Sequence, residues 1–208
     1  YGPANQEEAL SFHPLDPLSS DTIDKLQSGG YIVYFRHEAT QAGTDQQKST
    51  EVLETKRNAT GVEDLNQTQK RVLNKTQIPE WNYDDCSLQR NLDIAGWRRA
   101  IGTGNAFDIL DISVSQVLSS PWCRCFKTAQ LAFHQYQTTP DLDYAKTDNR
   151  ERLEPILQQE PKSGSNTALV AHSLGSMELG DVFDVSLNEG QCLVVDPSEP
   201  LQNALVDG

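Results

Sequence analysis

The sequence predicts an α/β protein, a three-layer sandwich whose mostly parallel central sheet is flanked by helices. Residues 31–35 form a continuous run of aromatic and β-branched side chains, and residues 114–118 and 167–171 form two further strand-like runs. Such runs are typical of strands that are covered on both faces, as in parallel sheets. Segments with helical patterns separate the three runs, and strands that alternate with helices indicate βαβ units.

The longest predicted helix covers residues 94–107 and has Asp93 as its N-cap. Its large apolar residues Ile94, Trp97 and Ile101 fall on one face, so we expect that face to be buried. The other predicted elements are helices over residues 22–27, 122–134 and 148–159, the last interrupted at Pro155, a short strand over residues 135–139 and a last strand over residues 192–195.

Composition and charge argue against two classes of protein. The 208 residues are 37% hydrophobic and 23% charged, with a formal net charge of −13 and a pI near 4.6. A nucleic-acid-binding protein needs a basic face, and docking on an anionic membrane needs clustered basic residues. No stretch approaches the ~20 apolar residues of a membrane span. Any anionic substrate must therefore be bound by local positive charge.

The four cysteines are Cys86, Cys123, Cys125 and Cys192; they form no CxxC pair, and no His–Cys cluster has the spacing of a zinc site. We interpret them as buried small residues and expect neither a metal nor a cofactor. The alternative is one long-range disulfide, for instance from Cys86 to Cys123 or Cys125, which would fit an oxidising compartment. The chain begins at Tyr1 without an initiator Met, for which we favour processing of a precursor over trimming. A secreted, periplasmic or lumenal location is therefore favoured over the cytoplasm.

We expect a single domain over residues 18–208, preceded by an extended polar arm over residues 1–17. Within the domain, residues 41–85 lose apolar periodicity and are rich in Gln, Asn, Thr, Lys and Glu, which indicates an insertion. The arm and the insertion are the segments through which a protein partner could bind. Three Asn-x-Thr sequons in the insertion are either glycosylation acceptors or chance matches in a biased stretch: Asn58, Asn66 and Asn74.

Charged and nucleophilic side chains follow each of the three buried strands. Arg36 and His37 end the first strand, Arg124 lies shortly beyond the second, and His172 directly follows the third. Because ligands bind at the carboxyl ends of parallel strands, we expect these side chains to meet at one edge of the sheet. Arginine matches phosphate oxygens bidentately, and a neutral imidazole is a competent nucleophile near neutral pH. With the N-terminus of the helix near Trp122, the set suits a phosphoryl group and supplies positive charge without a metal.

Three motifs occur in this order along the chain: Arg36-His37, then Ser119-Ser-Pro-x-x-Arg124-x-x-x-Thr128-Ala129, then His172 at a strand end. Together they resemble the histidine phosphatase superfamily with its phosphoglycerate-mutase-like fold, and in particular its small bacterial branch. Residues 85–92 and 188–190 also look like that branch. The resemblance covers residues 18–197, with residues 41–85 as an oversized insertion.

The resemblance implies a role for each of the four side chains. His37 would attack phosphorus in line and become phosphohistidine, while Arg36, Arg124 and His172 would hold the phosphate oxygens. An acid would protonate the leaving oxygen, and water would then release phosphate. The expected binding partner is a phosphorylated small molecule or phosphate itself.

The sequence departs from the family pattern at Glu38, since the family usually has a small residue after the nucleophile. This carboxylate could repel the phosphate, act as the general acid or point away from the site. The other candidates for the general acid are Asp143 and Glu189. Arg90 could bind substrate, although pairing with an acidic side chain is the favoured interpretation of it.

The first functional hypothesis is a metal-independent phosphomonoester hydrolase that works through a phosphohistidine on His37. The second is a mutase of the same fold, which would use the same first step. The third is a catalytically weak or inactive member that serves as a binding or assembly subunit; Glu38, the arm and the insertion motivate it.

Overall fold

A six-stranded sheet lies at the centre of the computed structural model, which describes residues 18–43, 45, 83 and 85–207. Its strands are β1 Ile32–Arg36, β2 Val114–Ser119, β3 Gln137–Thr138, β4 Asn166–Ala171, β5 Cys192–Val195 and β6 Leu205–Asp207. Their order across the sheet is β3-β2-β4-β1-β5-β6. The first four are parallel, and β5 and β6 add two antiparallel pairings at one side. The predicted α/β class with a mostly parallel sheet is confirmed.

Helices cover both faces of this sheet. They are α1 Ser20–Ser28, α2 Ile94–Ile109, α3 Cys123–Phe133, α4 Asn149–Leu157 and the single turn α5 Gly180–Phe183. Side chains alternate across β1, so Ile32 and Tyr34 join one apolar cluster, whereas Val33 and Phe35 join the other. The first cluster lies against α4 and α5, and the second lies against α1 and α3. This arrangement is the predicted three-layer sandwich.

Helix α2 begins where the sequence predicts but buries a different face. Asp93 caps it, since its side chain accepts a 2.7 Å hydrogen bond from the Gly96 amide. The predicted apolar face is wrong, because Ile94, Trp97 and Ile101 are 73%, 46% and 45% exposed.

The buried face of α2 is formed by small residues. Gly96 and Gly104 approach neighbouring backbone so closely that an added Cβ would lie 2.2 Å from the Ala39 carbonyl oxygen and 2.1 Å from that of Ala132. The absence of a side chain lets α2 lie directly on α3 and on the segment after β1. Close backbone packing therefore decides which face of α2 is buried.

Three further predictions require correction. Helix α4 is not interrupted at Pro155 but continues through it to Leu157; the carbonyl that loses its partner belongs to Glu151, an exposed residue. The strand over residues 192–195 is not the last, because the short, half-buried β6 pairs with it. Two cysteines are not separate thiols, since Cys86 and Cys123 form a disulfide, whereas Cys125 and Cys192 are free.

The arm over residues 1–17 and most of the insertion, including the three sequons, lie outside the described residues. The expected domain boundaries therefore remain predictions. Within the described part of the chain, no helix has the length and apolar character needed to cross a membrane.

Candidate active site

Two histidines lie side by side at the carboxyl edge of the parallel strands. Strand β4 pairs with both β1 and β2, with Ala171 opposite Arg36 and Val170 opposite Ser119. The residues that follow, His37 and His172, are consequently neighbours, and their ring centroids are 5.7 Å apart. Both rings are buried.

His37 is held with one ring nitrogen turned toward Arg124. Its Nδ1 lies 2.9 Å from the Glu38 carbonyl oxygen, which can only accept, so Nδ1 carries the proton. Its Nε2 then accepts a 3.1 Å hydrogen bond from Arg124 Nε. Burial lowers the pKa of His37 to about 3; the Glu38 carbonyl opposes the shift, and the charge of Arg124 adds to it. The imidazole is therefore neutral at pH 7 and has a lone pair on Nε2.

Arg124 lies in the first turn of α3 and is buried by aromatic and polar contacts. Its guanidinium carbon is 4.6 Å from the centroid of Trp122, and Nη1 forms a 3.0 Å ion pair with Asp45 Oδ1. Thr128 donates to the Arg124 carbonyl at 2.7 Å and accepts from the Glu38 amide at 3.1 Å. Thr128 therefore ties the helix that carries Arg124 to the segment that follows His37.

His172 is positioned by a hydroxyl rather than by a carbonyl. Its Nε2 lies 2.9 Å from Ser120 Oγ, and the ring stands 4.4 Å from the centroid of Tyr144. The free thiol of Cys125 contacts the same ring nitrogen at 3.6 Å. Burial lowers the pKa of His172, with the charge of Arg124 as the next cause. His172 is thus a second neutral imidazole beside the first.

Arg36 has one buried donor that no described residue satisfies. Its Nη1 donates to the Leu187 carbonyl at 2.7 Å, and its Nη2 lies 3.9 Å from Glu189 Oε1. Its Nε is buried, and no described residue accepts a hydrogen bond from it. A buried donor without an acceptor is costly and rare in folded proteins. An anion bound beside Arg36 would supply the missing acceptor.

Glu189 accepts three hydrogen bonds from two residues, Arg90 and Thr40. Arg90 Nη2 donates to Oε1 at 3.0 Å, the Thr40 hydroxyl donates to the same oxygen at 2.9 Å, and the Thr40 amide donates to Oε2 at 3.0 Å. Arg90 therefore pairs with an acidic side chain, as the sequence interpretation favoured. Glu189 therefore connects Arg36 and Arg90 to the segment after the first strand.

Glu38 points away from the two histidines. Its Oε2 accepts a 2.9 Å hydrogen bond from Arg99 on α2, and its side chain lies against Gly190, where an added Cβ would be 2.5 Å from Oε2. Burial raises the pKa of Glu38, and the hydrogen bond from Arg99 opposes that shift. Of the three interpretations of Glu38, this geometry matches the one in which the side chain points away from the site.

Asp143 is buried and fully engaged as an acceptor. Its Oδ1 accepts from Trp122 Nε1 at 2.8 Å and from the Ala145 amide at 3.0 Å, and its Oδ2 accepts from the Tyr83 hydroxyl. These contacts position the aromatic ring beneath Arg124. Both oxygens of Asp143 accept hydrogen bonds from the protein.

Sequence reasoning missed Asp45. Its Oδ1 accepts from Arg124 Nη1 at 3.0 Å and from the Arg90 amide at 2.7 Å. It lies in the polar stretch after Gln41, where no periodicity or motif distinguishes one acidic residue from another. The only sequence signal for Asp45 is its short distance from His37 along the chain, which allows both residues to lie at the same edge of the sheet.

The polar groups of this edge form a candidate anion site with a small positive excess. Three guanidinium groups, of Arg36, Arg90 and Arg124, face two carboxylates, of Asp45 and Glu189, which leaves one net positive charge. Arg124 donates to His37 Nε2 at 3.1 Å, and the charges of Arg36, Arg90 and Arg124 all act on the His37 ring. Among the described residues, no group of three or more His, Cys, Asp or Glu side chains could hold a metal ion.

No family model and no curated protein matches this sequence. Solved structures that resemble it include the α-ribazole phosphatase from Shigella flexneri, at 14% identity and a TM-score of 0.46 over 80% of this chain and 90% of the other. A mycobacterial glucosyl-3-phosphoglycerate phosphatase is 11% identical, with a TM-score of 0.46 over 80% of this chain and 89% of the other. The protein histidine phosphatase SixA, complexed with tungstate, is 9% identical, with a TM-score of 0.47 over 86% of this chain and 94% of the other. These values are too low for the likeness to assign a function.

Proposed function

We propose that this protein is a metal-independent phosphatase of the histidine phosphatase type, which hydrolyses a phosphomonoester through a phosphohistidine on His37. The observation that carries the proposal is the state of His37. It is buried, neutral and fixed in one tautomer, and its unprotonated nitrogen accepts a hydrogen bond from Arg124. A nucleophile with a neighbouring anion binder is what phosphoryl transfer to an imidazole requires.

In the proposed reaction, Arg36 and Arg124 bind the phosphoryl oxygens, and Arg36 Nε gains an acceptor that no described residue provides. In the tautomer that has its proton on Nε2, His172 adds a third donor by turning from Ser120 to the phosphate. The lone pair of His37 Nε2 attacks phosphorus, and the Glu38 carbonyl stabilises the positive charge that develops on the ring through Nδ1. Water then attacks the phosphohistidine and releases phosphate. Arginine donors supply the positive charge that stabilises the transferring group.

The sequence resemblance to the histidine phosphatase superfamily supports the same proposal. The motif residues Arg36, His37, Arg124 and His172 are the four that meet at this edge of the sheet. The inactive-subunit alternative rests in part on Glu38, whose carboxylate is paired with Arg99 instead of facing the nucleophile. We therefore favour the hydrolase. Release of phosphate without any added acceptor would distinguish it from a mutase.

The test is the variant His37→Asn, because the asparagine amide can still donate to the Glu38 carbonyl but offers no nucleophilic nitrogen. We expect kcat/KM on 4-nitrophenyl phosphate to fall by roughly three orders of magnitude or more. The wild type should also incorporate acid-labile, alkali-stable phosphate on mixing with substrate, and the variant should not.

The matched control is His134→Asn. His134 is exposed at the end of α3 with a φ of 59°, a conformation that asparagine tolerates well. This variant should keep wild-type activity. Wild-type turnover by His37→Asn would show that the proposed function is wrong.

We also propose an oxidising location, secreted, periplasmic or lumenal, because the Cys86–Cys123 disulfide would be rare in a reducing compartment. Binding of a protein partner through the arm or the insertion remains a prediction.

A further inference from the structure

The three carboxylates that the sequence suggests as general acid are all held by other groups. Asp143 accepts from Trp122 and its neighbours, Glu189 from Arg90 and Thr40, and Glu38 from Arg99. Breaking a phosphate ester of a poorly acidic alcohol still needs a proton for the leaving oxygen. A carboxylate that lies next to Arg124 is a further candidate for this donor.

We propose that Asp45 is this general acid and that it protonates the leaving oxygen while His37 attacks phosphorus. The inference rests on the proposed function. It concerns a residue that carries no family motif and lies in the polar stretch after the first strand.

The position of Asp45 is the first support. Arg124 binds His37 Nε2 through its Nε at 3.1 Å and Asp45 Oδ1 through its Nη1 at 3.0 Å. A single guanidinium group therefore separates the nucleophilic nitrogen from the carboxylate. A phosphoryl group that binds Arg124 in front of Nε2 must come to lie beside Asp45.

The second support is that the described hydrogen bonds to Asp45 go to only one of its two oxygens. Oδ1 also accepts from the Arg90 amide at 2.7 Å, so the backbone retains this oxygen when the guanidinium of Arg124 turns to the phosphate. No described residue donates to Oδ2. Oδ2 is therefore the oxygen that can carry a proton toward substrate.

The charges around Asp45 indicate where its proton comes from. In the empty site Asp45 is the counter-ion of Arg124. When a phosphate takes over that guanidinium, Asp45 loses its counter-ion and lies beside the phosphate oxygens. The monoprotonated phosphate of the incoming substrate can supply the proton.

The atoms and charges balance over two steps. The Nε2 lone pair forms the N–P bond, the P–O bond to the alcohol breaks, and the departing oxygen takes the proton from Asp45 Oδ2. The products are the alcohol, phosphohistidine and the Asp45 carboxylate. That carboxylate then accepts a proton from the attacking water as the N–P bond breaks, which restores the Nε2 lone pair and the protonated acid.

The experiment compares Asp45→Asn with the wild type across substituted phenyl phosphates, from 4-nitrophenyl phosphate to phenyl phosphate, and a simple alkyl phosphate. Asparagine keeps the shape of the side chain and can still accept from the Arg90 amide, but it cannot donate an acidic proton. Because kcat/KM reports the steps up to loss of the alcohol, it is the quantity to plot against the acidity of the leaving group.

We expect Asp45→Asn to stay within about threefold of wild type on 4-nitrophenyl phosphate and to lose about 100-fold on the least acidic leaving groups. The dependence on leaving-group acidity should therefore steepen. An equal loss on every substrate would mean that Asp45 only positions Arg124, and no loss on any would mean that it has no role; either result overturns the proposal.

Two variants separate this inference from the proposed function. His37→Asn should be inactive on every substrate in the series, whatever Asp45 does; if His37→Asn is active, the phosphohistidine proposal fails first. Asp108→Asn is the matched control for the change of charge. Asp108 is exposed near the end of α2, which leads into the start of β2 at the opposite edge of the sheet.

Discussion

The ends of β1 and β4 each present a buried histidine, yet the two rings are held in opposite ways. His37 donates through Nδ1 to a backbone carbonyl and leaves Nε2 facing Arg124. His172 has its Nε2 engaged by the Ser120 hydroxyl. A carbonyl can only accept, so it fixes the tautomer of His37, whereas a hydroxyl accepts or donates and lets His172 change partners. The first arrangement suits a nucleophile, and the second suits a donor to phosphate oxygens.

The largest effect that would test this difference is expected from His172→Asn. Losing one donor to a developing negative charge typically costs about 100- to 1,000-fold, roughly 3–4 kcal/mol, in kcat/KM. The protein should nevertheless still form acid-labile phosphate on His37, which mass spectrometry under alkaline conditions can detect.

If His172→Asn abolishes phosphorylation of His37 as completely as His37→Asn does, the two rings do not have distinct roles. Thermal unfolding of the variant shows whether it remains folded. A fall in kcat/KM with an unchanged melting temperature supports the assigned role.

The next effect concerns acid stability. The pKa of His37 is about 3 in the fold, against an ordinary value near 6.5, so between these values the unfolded chain binds a proton that the native protein does not. Stability is therefore fully present above pH 6.5 and falls as the pH drops toward 3. At pH 4 the loss from His37 is about 3 kcal/mol.

Urea unfolding at pH 7 and pH 4 measures this loss. The difference between the two pH values should be smaller in His37→Asn than in the wild type by about 3 kcal/mol. Equal differences in both proteins would show that His37 is not buried as a neutral ring. His172, whose pKa is also lowered, should account for part of the loss that remains in the variant.

The smallest effect is expected from Glu38→Gln. The Arg99 side chain that pairs with Glu38 is half exposed, and exposed ion pairs contribute about 0–1 kcal/mol. Since Glu38 faces α2 and not the anion site, kcat/KM should stay within about threefold of wild type. A gain or loss of tenfold or more at pH 7 would mean that this carboxylate acts on the nucleophile after all.

Most of the fold was predictable because buried strands consist of short, continuous runs of apolar residues. The apolar segments that form β1, β4 and β5 are recognisable without any tertiary information. The buried face of α2 was not, because its packing depends on the absence of side chains at Gly96 and Gly104. Glycine carries no hydrophobic signal, so a periodicity argument selected the opposite face.

The site residues were likewise only partly predictable from the sequence. Arg36, His37, Arg124 and His172 follow recognisable strands, and parallel topology is enough to bring them together. Asp45 could not be found in this way, because its place depends on how a polar loop returns to Arg124 and Arg90. The orientation of Glu38 was equally open, since it is set by Arg99 on a distant helix.

The disulfide has a consequence for how this protein responds to a protease. Cys86 and Cys123 are 37 residues apart, and the loop they close contains all of α2 and β2. A single cut within that loop leaves the two fragments covalently joined, with the segment of Arg90 still attached to the helix that carries Arg124. A nicked molecule therefore migrates as one chain in non-reducing electrophoresis and separates into two only after reduction.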